Sequence, residues 1–148
     1  PGESPEAYVF VDRATFVAHR AADGFLEWNE FHGNLYGTPV PPEVPGHDVL
    51  LEIDVNGARQ VHERIPGALL LFVDAPDREV QRRRLEGRGD PPDKVEARIA
   101  EATRERRDAV ALGCRFLVND VLDRVLAEIE GLVAEVRAAG PTVERHGR

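Results

Sequence analysis

Residues 24–39 read GFLEWNEFHGNLYGTP, and the phase of that stretch decides how the chain is understood. A strand repeats every second residue, so Phe25, Glu27 and Asn29 share one face if the segment is extended. Tyr36 and Thr38 repeat that spacing beyond His32-Gly33-Asn34, whose residue types favour a turn. The expectation is a β-hairpin whose walls offer a carboxylate, a phenol and a hydroxyl to a small polar ligand.

Outside the hairpin, composition narrows the class. A chain of 148 residues is one domain's worth of sequence, long enough to bury a core. A net charge of -8 disfavours nucleic acid and anionic membranes as partners, while local basic clusters can still hold phosphates. Cys114 is the single cysteine and cannot form an internal disulfide, and no apolar run suffices for a span or signal sequence. A cytoplasmic protein is expected. The histidines His19, His32, His47, His62 and His146 lack zinc-ligand spacing, so no metal site is expected from them. The chain has no methionine and begins Pro1-Gly2-Glu3, from which the expectation is that residues precede it. Its only lysine, Lys94, lies in Pro92-Asp93-Lys94-Val95, so no glycine-rich loop ending in Gly-Lys-Ser or Gly-Lys-Thr is present to cradle phosphates.

In order, Tyr8–Val11 alternates like a strand and Asp12 suits the N-cap of a helix carrying Phe16 and Val17. Pro41, Pro42 and Pro45 disfavour a helix over 40–47. Asp48–Ile53 reads as a buried parallel strand ending in acids, the end at which open parallel sheets bind ligands. Val55–Ile65 is helical in pattern, Ala68–Val73 is a second buried strand, and a helix capped by Asp77 runs through the basic stretch 82–89. Asp90-Pro91-Pro92 breaks it. A long charged helix from Asp93 to about Ala111, a strand Phe116–Asn119, an amphipathic helix Val121–Ala139 and a frayed tail Thr142–Arg148 complete an α/β pattern with a parallel sheet.

The hairpin, LLEIDVNGAR at 50–59 and the basic stretch 82–89 closely resemble guanylate kinases, the family that moves the terminal phosphate of ATP onto GMP. The resemblance spans roughly residues 1 to 137. It implies a fold like the P-loop nucleoside-monophosphate kinases: a parallel sheet, a small β-rich GMP-binding subdomain and an arginine-rich lid, with the first strand and P-loop missing. The implied divisions are 1–47 for the GMP-binding subdomain, 48–76 for core strands and helix, 77–98 for helix and lid, 99–140 for core helices and last strand, and 141–148 for a tail. In this reading Pro1-Gly2-Glu3 ends an Arg-x-Gly-Glu turn, and the P-loop strand's absence leaves Asp48–Ile53 and Leu69–Val73 with unpaired inner edges.

The resemblance also implies site residues. Glu27 accepts from guanine N1 and the exocyclic amine at once, which adenine cannot match because its N1 is an acceptor. Thr38 donates to guanine O6, Tyr8 and Tyr36 hold the phosphate, and Glu52 and Asp54 line the same GMP site. Arg88 and Arg98 are the implied catalytic lid residues, whose guanidinium forks offset charge on the transferred phosphate. Arg84 and Asn119 fall at ATP-binding positions, and magnesium is the implied cofactor, its main ligands expected outside this chain. Bland readings stand beside these: a strand aromatic for Tyr8, strand-end acids for Glu52 and Asp54, a capping residue for Asn119 and a solvated basic face for Arg78, Arg82, Arg104, Arg106 and Arg107. The leading expectation is an enzyme whose partners are GMP and ATP, represented here without its triphosphate loop and inactive alone. The alternative is a non-catalytic guanylate kinase-like module that binds phosphopeptides, and a third reading is a GMP-binding regulator. Departures from the family pattern are the proline-rich loop, a shortened lid, and Asn56 where glutamine is frequent.

Overall fold

The computed structural model describes residues 8–31 and 33–140, and the chain divides into two compact units between Arg64 and Ile65. The expected turn at the chain start and the expected tail lie outside the described residues.

The first unit opens with helix α1, Arg13–Ala21, whose N-cap Asp12 accepts from Thr15 N at 2.7 Å. Strand β1 (Phe25–Phe31) and strand β2 (Asn34–Pro39) pair antiparallel, as the alternation predicted, with Glu27 opposite Thr38 and Asn29 opposite Tyr36. Gly33 takes a φ of 80° in the connecting turn, a left-handed conformation open to glycine without steric cost. The register slips between Phe25 and Glu27, so this bulge buries Phe25, Leu26 and Glu27 in succession where strict alternation would expose Leu26. Phe16 of α1 stacks on Phe25 at 4.4 Å between ring centroids, and His19 meets the same ring edge-on. Helix α2, Val55–Arg64, packs on β1 and buries Gly57 and Val61. Its last residue, Arg64, grips Asp23 in the turn after α1 through both guanidinium nitrogens.

Two expected strands did not form. Tyr8–Val11 and Asp48–Ile53 belong to no sheet, and Val9 and Leu50 are 91% and 90% exposed. Both have the right residues, but a strand exists through its ladder, and neither segment has one. The segment between β2 and α2 contains no helix, in keeping with its prolines.

The second unit runs strand β3 (Leu71–Asp74), helix α3 (Arg78–Gly87), helix α4 (Pro92–Leu112), strand β4 (Arg115–Val118) and helix α5 (Leu122–Ala139). β3 and β4 pair in parallel, Phe72 opposite Phe116, and β3 has no other strand partner among the described residues. One of the two open inner edges expected from the sequence is therefore present on β3; the other vanishes because Asp48–Ile53 is not a strand. Asp77 caps α3 by accepting from Val80 N at 2.7 Å, and α3 stops at Gly87 rather than Gly89, with Arg88 as its C-cap. Pro92 sits in the first turn of α4, where its missing N–H is harmless, so the helix begins one residue earlier than expected. Leu85, Val95 and Ile99 close the α3–α4 hairpin.

Candidate functional site

Glu27 is the anchor of the site. Its side chain is 3% exposed, and Oε1 accepts both from Thr38 N at 3.0 Å and from Thr38 Oγ1 at 2.6 Å. The register makes this possible, because a carboxylate directly opposite a threonine can reach over it to the backbone as well as the hydroxyl. A buried carboxylate is tolerated only with such partners. Oε2 has no hydrogen-bond partner among the described residues and remains available as an acceptor.

Two residues further along each strand lies the second cluster. Asp54 Oδ2 accepts from Asn29 Nδ2 and from Tyr36 OH, each at 2.9 Å, while Oδ1 accepts from Gly57 N at 2.7 Å. The last bond, with Ala58 N donating to Asp54 O, makes Asp54 the cap of α2, so one carboxylate both starts the helix and ties it to the hairpin. Burial works to raise the Asp54 carboxyl, but the hydrogen bonds from Gly57, Asn29 and Tyr36 outweigh it and hold the group below its ordinary range. Burial and the neighbouring Asp54 carboxylate push the Tyr36 phenol up to about 12, so it stays a neutral donor.

Helix α2 touches β1 at a third point. Gln60 Oε1 accepts from Trp28 N at 3.2 Å and its Nε2 donates to Trp28 O at 2.8 Å. The structure thus brings Glu27, Tyr36, Thr38 and Asp54 together. Glu52 is exposed and outside this network, since the strand that would have aligned it with Asp54 is absent. Tyr8 is 52% exposed, its ring 6.2 Å from that of Phe10.

The expected lid and ATP-binding residues lie in the second unit. Arg84 donates to the Asn119 backbone oxygen at 2.7 Å, which joins two residues assigned one role from sequence. Arg98 approaches Asp90 Oδ2 at 3.6 Å across the α3–α4 turn. Arg88 is exposed at the end of α3 and has no carboxylate partner among the described residues. Of the arginines read as a solvated face, Arg106 pairs with Asp74 at 2.8 Å and lies over the Phe116 ring, while Arg82 pairs with Glu96 and Arg78 donates to Thr103.

Sequence reasoning placed Asn29 on the hairpin face without a role and passed over Gly57 and Gln60. Their signal was the helical spacing from Asp54, since residues three and six positions on return toward the face that the cap already touches.

The chain is similar to known proteins over most of its length. The family model described as guanylate kinase matches residues 2–136. The chain is 45% identical over 147 residues to a guanylate kinase of Thermus thermophilus, covering 95% of this chain and 66% of that protein. It is 45% identical over 138 residues to a guanylate kinase of Alkalilimnicola ehrlichii, covering 89% of this chain and 68% of that protein. The chain thus spans about two thirds of the length of the curated relatives it matches. A crystal structure of guanylate kinase from Anaplasma phagocytophilum shares the fold with a TM-score of 0.66 at 23% identity, over 97% of this chain and 70% of that one. With its hairpin carboxylate, capped helix and arginine-bearing helical hairpin in place, this chain belongs to the guanylate kinase family.

Proposed function

We propose that this chain carries the guanine-reading region and the lid of a guanylate kinase, which transfers the terminal phosphate of ATP to GMP and yields ADP and GDP. The observation that carries the reading is the state of Glu27: a buried carboxylate with one oxygen fixed by Thr38 and the other left to accept. Guanine presents two adjacent donors that such a group satisfies, whereas adenine presents an acceptor to it.

The remaining roles follow from chemistry. Tyr36, kept protonated, turns its single O–H from Asp54 Oδ2 to the phosphate when GMP binds, with Tyr8 as a second phenol. Asp54 holds Asn29 and, before the nucleotide binds, Tyr36; Thr38 fixes Glu27 with its single hydroxyl proton, so the expected donation to guanine O6 requires that proton to turn away from Glu27. Arg88 and Arg98 offset charge on the phosphoryl group in flight, and Arg84 with Asn119 attends the adenine nucleotide, since phosphoryl transfer rests mainly on positioning and fixed cations. No three His, Cys, Asp or Glu side chains among the described residues gather into a cation cage, so these residues do not fit a resident magnesium site. Magnesium belongs to this proposal as a counter-ion of the nucleotide phosphates, the manner in which it is usually held. A cytoplasmic location is part of the same reading; no helix among the described residues is long and apolar enough to cross a membrane.

Calorimetric titration with GMP and AMP tests the proposal directly. GMP should bind at least about tenfold more tightly than AMP, a difference of roughly 1.4 kcal/mol, which is within what one mispaired buried polar group costs. Equal affinities, or binding of a phosphopeptide but not of GMP, would overturn it. A coupled assay of ADP formation on a protein carrying both this chain and a P-loop should show GMP-dependent turnover.

A further inference from the structure

Helix α2 meets the guanine-reading strand at a point where a side chain is missing. A Cβ placed on Gly57 would lie 2.9 Å from Glu27 Oε2, 3.3 Å from Glu27 Cδ and 3.3 Å from Ile53 Cβ. Gly57 is buried inside α2 without a positive φ, so its backbone does not demand glycine. Gly57 is the third residue of α2, in the turn capped by Asp54, and glycine is a poorer helix residue than alanine. A residue that helix energetics disfavours, at a position where backbone geometry does not call for it, points to the space that its missing side chain leaves.

That space belongs to the open oxygen of Glu27. Oε1 is held by the Thr38 amide and hydroxyl, so the carboxylate cannot swing away from an incoming methyl without straining those bonds. We infer that Gly57 is a specificity-determining residue: by lacking a Cβ it leaves Glu27 Oε2 where it can accept from the guanine edge. Gln60, one turn further on the same helix, holds Trp28 beside Glu27 and fixes the distance between helix and strand on which this clearance depends. The inference rests on the guanine-reading role proposed above, and it assigns to a helix the discrimination that the hairpin displays.

The test is Gly57→Ala, titrated with GMP and AMP. GMP affinity should fall by roughly 10- to 200-fold, the range for one misplaced methyl group in a binding pocket, while AMP affinity stays as it was because AMP does not use Oε2. General damage to the fold would weaken both nucleotides together. The amide resonance of Thr38 should also move, since its acceptor is displaced. Combining Gly57→Ala with Glu27→Asp shortens the carboxylate and restores clearance, so any loss of thermal stability seen in Gly57→Ala should be absent when the same change is made in the Glu27→Asp background. A Gly57→Ala protein that does not fold while the double variant does would carry the same conclusion. If neither folds, Ile53 is the obstruction and the inference is overturned. A wild-type preference for GMP that survives Gly57→Ala overturns this inference alone; a wild-type protein without that preference overturns the guanine reading and this inference with it.

Discussion

Gln60 spends its whole side-chain amide on the backbone of one residue, Trp28, accepting from its N at 3.2 Å and donating to its O at 2.8 Å. It occupies the outer edge of β1 as a neighbouring strand would, which gives a two-stranded hairpin a third point of attachment. An isolated hairpin is marginal in water, so that attachment matters to the site as much as to the fold. Gln60→Leu should therefore destabilise the protein by about 1–3 kcal/mol, because it strands a part-buried donor and acceptor at once. Urea denaturation should show a lower midpoint with an unchanged slope. Gln60→Glu keeps the acceptor for Trp28 N but sets a carboxylate oxygen against Trp28 O, so it should also lower the midpoint, and less so in acid, where the protonated carboxyl can donate.

Asp54 makes stability depend on acid. Its carboxyl is held below the ordinary value in the folded chain, so the folded state favours the ionised form. That contribution is present above the unfolded value of about 4 and is lost as pH falls through the lower folded value. Asp54→Asn keeps a competent helix cap but turns an acceptor toward Asn29 and Tyr36 into a donor. The gap in thermal midpoint between wild type and Asp54→Asn should be widest near neutral pH and should narrow as pH drops below about 4. A gap of constant width would count against the carboxylate.

Tyr36 works in the opposite direction. Its phenol is pushed up to about 12, first by burial and then by Asp54. The stability it contributes is complete below the unfolded value of about 10 and is lost as pH rises through the folded value. Subtracting the alkaline absorbance titration of Tyr36→Phe from that of wild type should leave one phenolate transition centred at about 12. In Asp54→Asn the same transition should come at lower pH, since a charge and an acceptor are gone.

Parts of this protein were legible without coordinates, and the limit is physical. The hairpin was legible because alternation and a glycine turn are local signals that Glu27, Asn29, Tyr36 and Thr38 carry in their spacing. Asp12 and Asp77 were legible as caps for the same reason. Asp48–Ile53 misled because apolar content announces burial while strand formation requires a neighbour, which no local pattern contains. Asp54 was placed in the site but read as a strand end, since its bonds to Asn29 and Tyr36 join residues far apart in the chain. Gly57 was invisible as a functional position because its meaning lies in an atom it lacks.

Arg88 should separate rate from binding. It caps the C-terminus of α3, is exposed, and has no carboxylate partner among the described residues, so Arg88→Ala should leave folding unchanged. In a protein carrying this chain and a P-loop, the substitution should lower kcat on the order of a thousandfold while GMP affinity stays within error, as expected of a cation whose interaction grows in the transition state. Arg98 approaches Asp90 at 3.6 Å and must leave that pair to act, so Asp90→Asn should raise rather than lower its availability.

Glu27→Gln is the decisive substitution for the guanine-reading proposal. Glutamine has the size and shape of glutamate, and its carbonyl can still accept from the Thr38 amide and hydroxyl, so the hairpin should persist. What changes is the atom at the Oε2 position, where an amide nitrogen would face the guanine donors. Each mispaired buried group costs about 1–3 kcal/mol, which corresponds to a loss of roughly 5- to 150-fold in GMP affinity or in kcat/KM with GMP. Tyr8 and Tyr36, proposed above as phosphate partners, are unchanged in this variant, so the affinity of inorganic phosphate or of a phosphopeptide should not move. AMP offers an acceptor at N1 and should bind the variant at least as well as the wild type. The readout is therefore the ratio of GMP to AMP affinities, which must collapse toward unity. A ratio unchanged by Glu27→Gln would mean that Glu27 serves only to hold Thr38, and that the hairpin is structural.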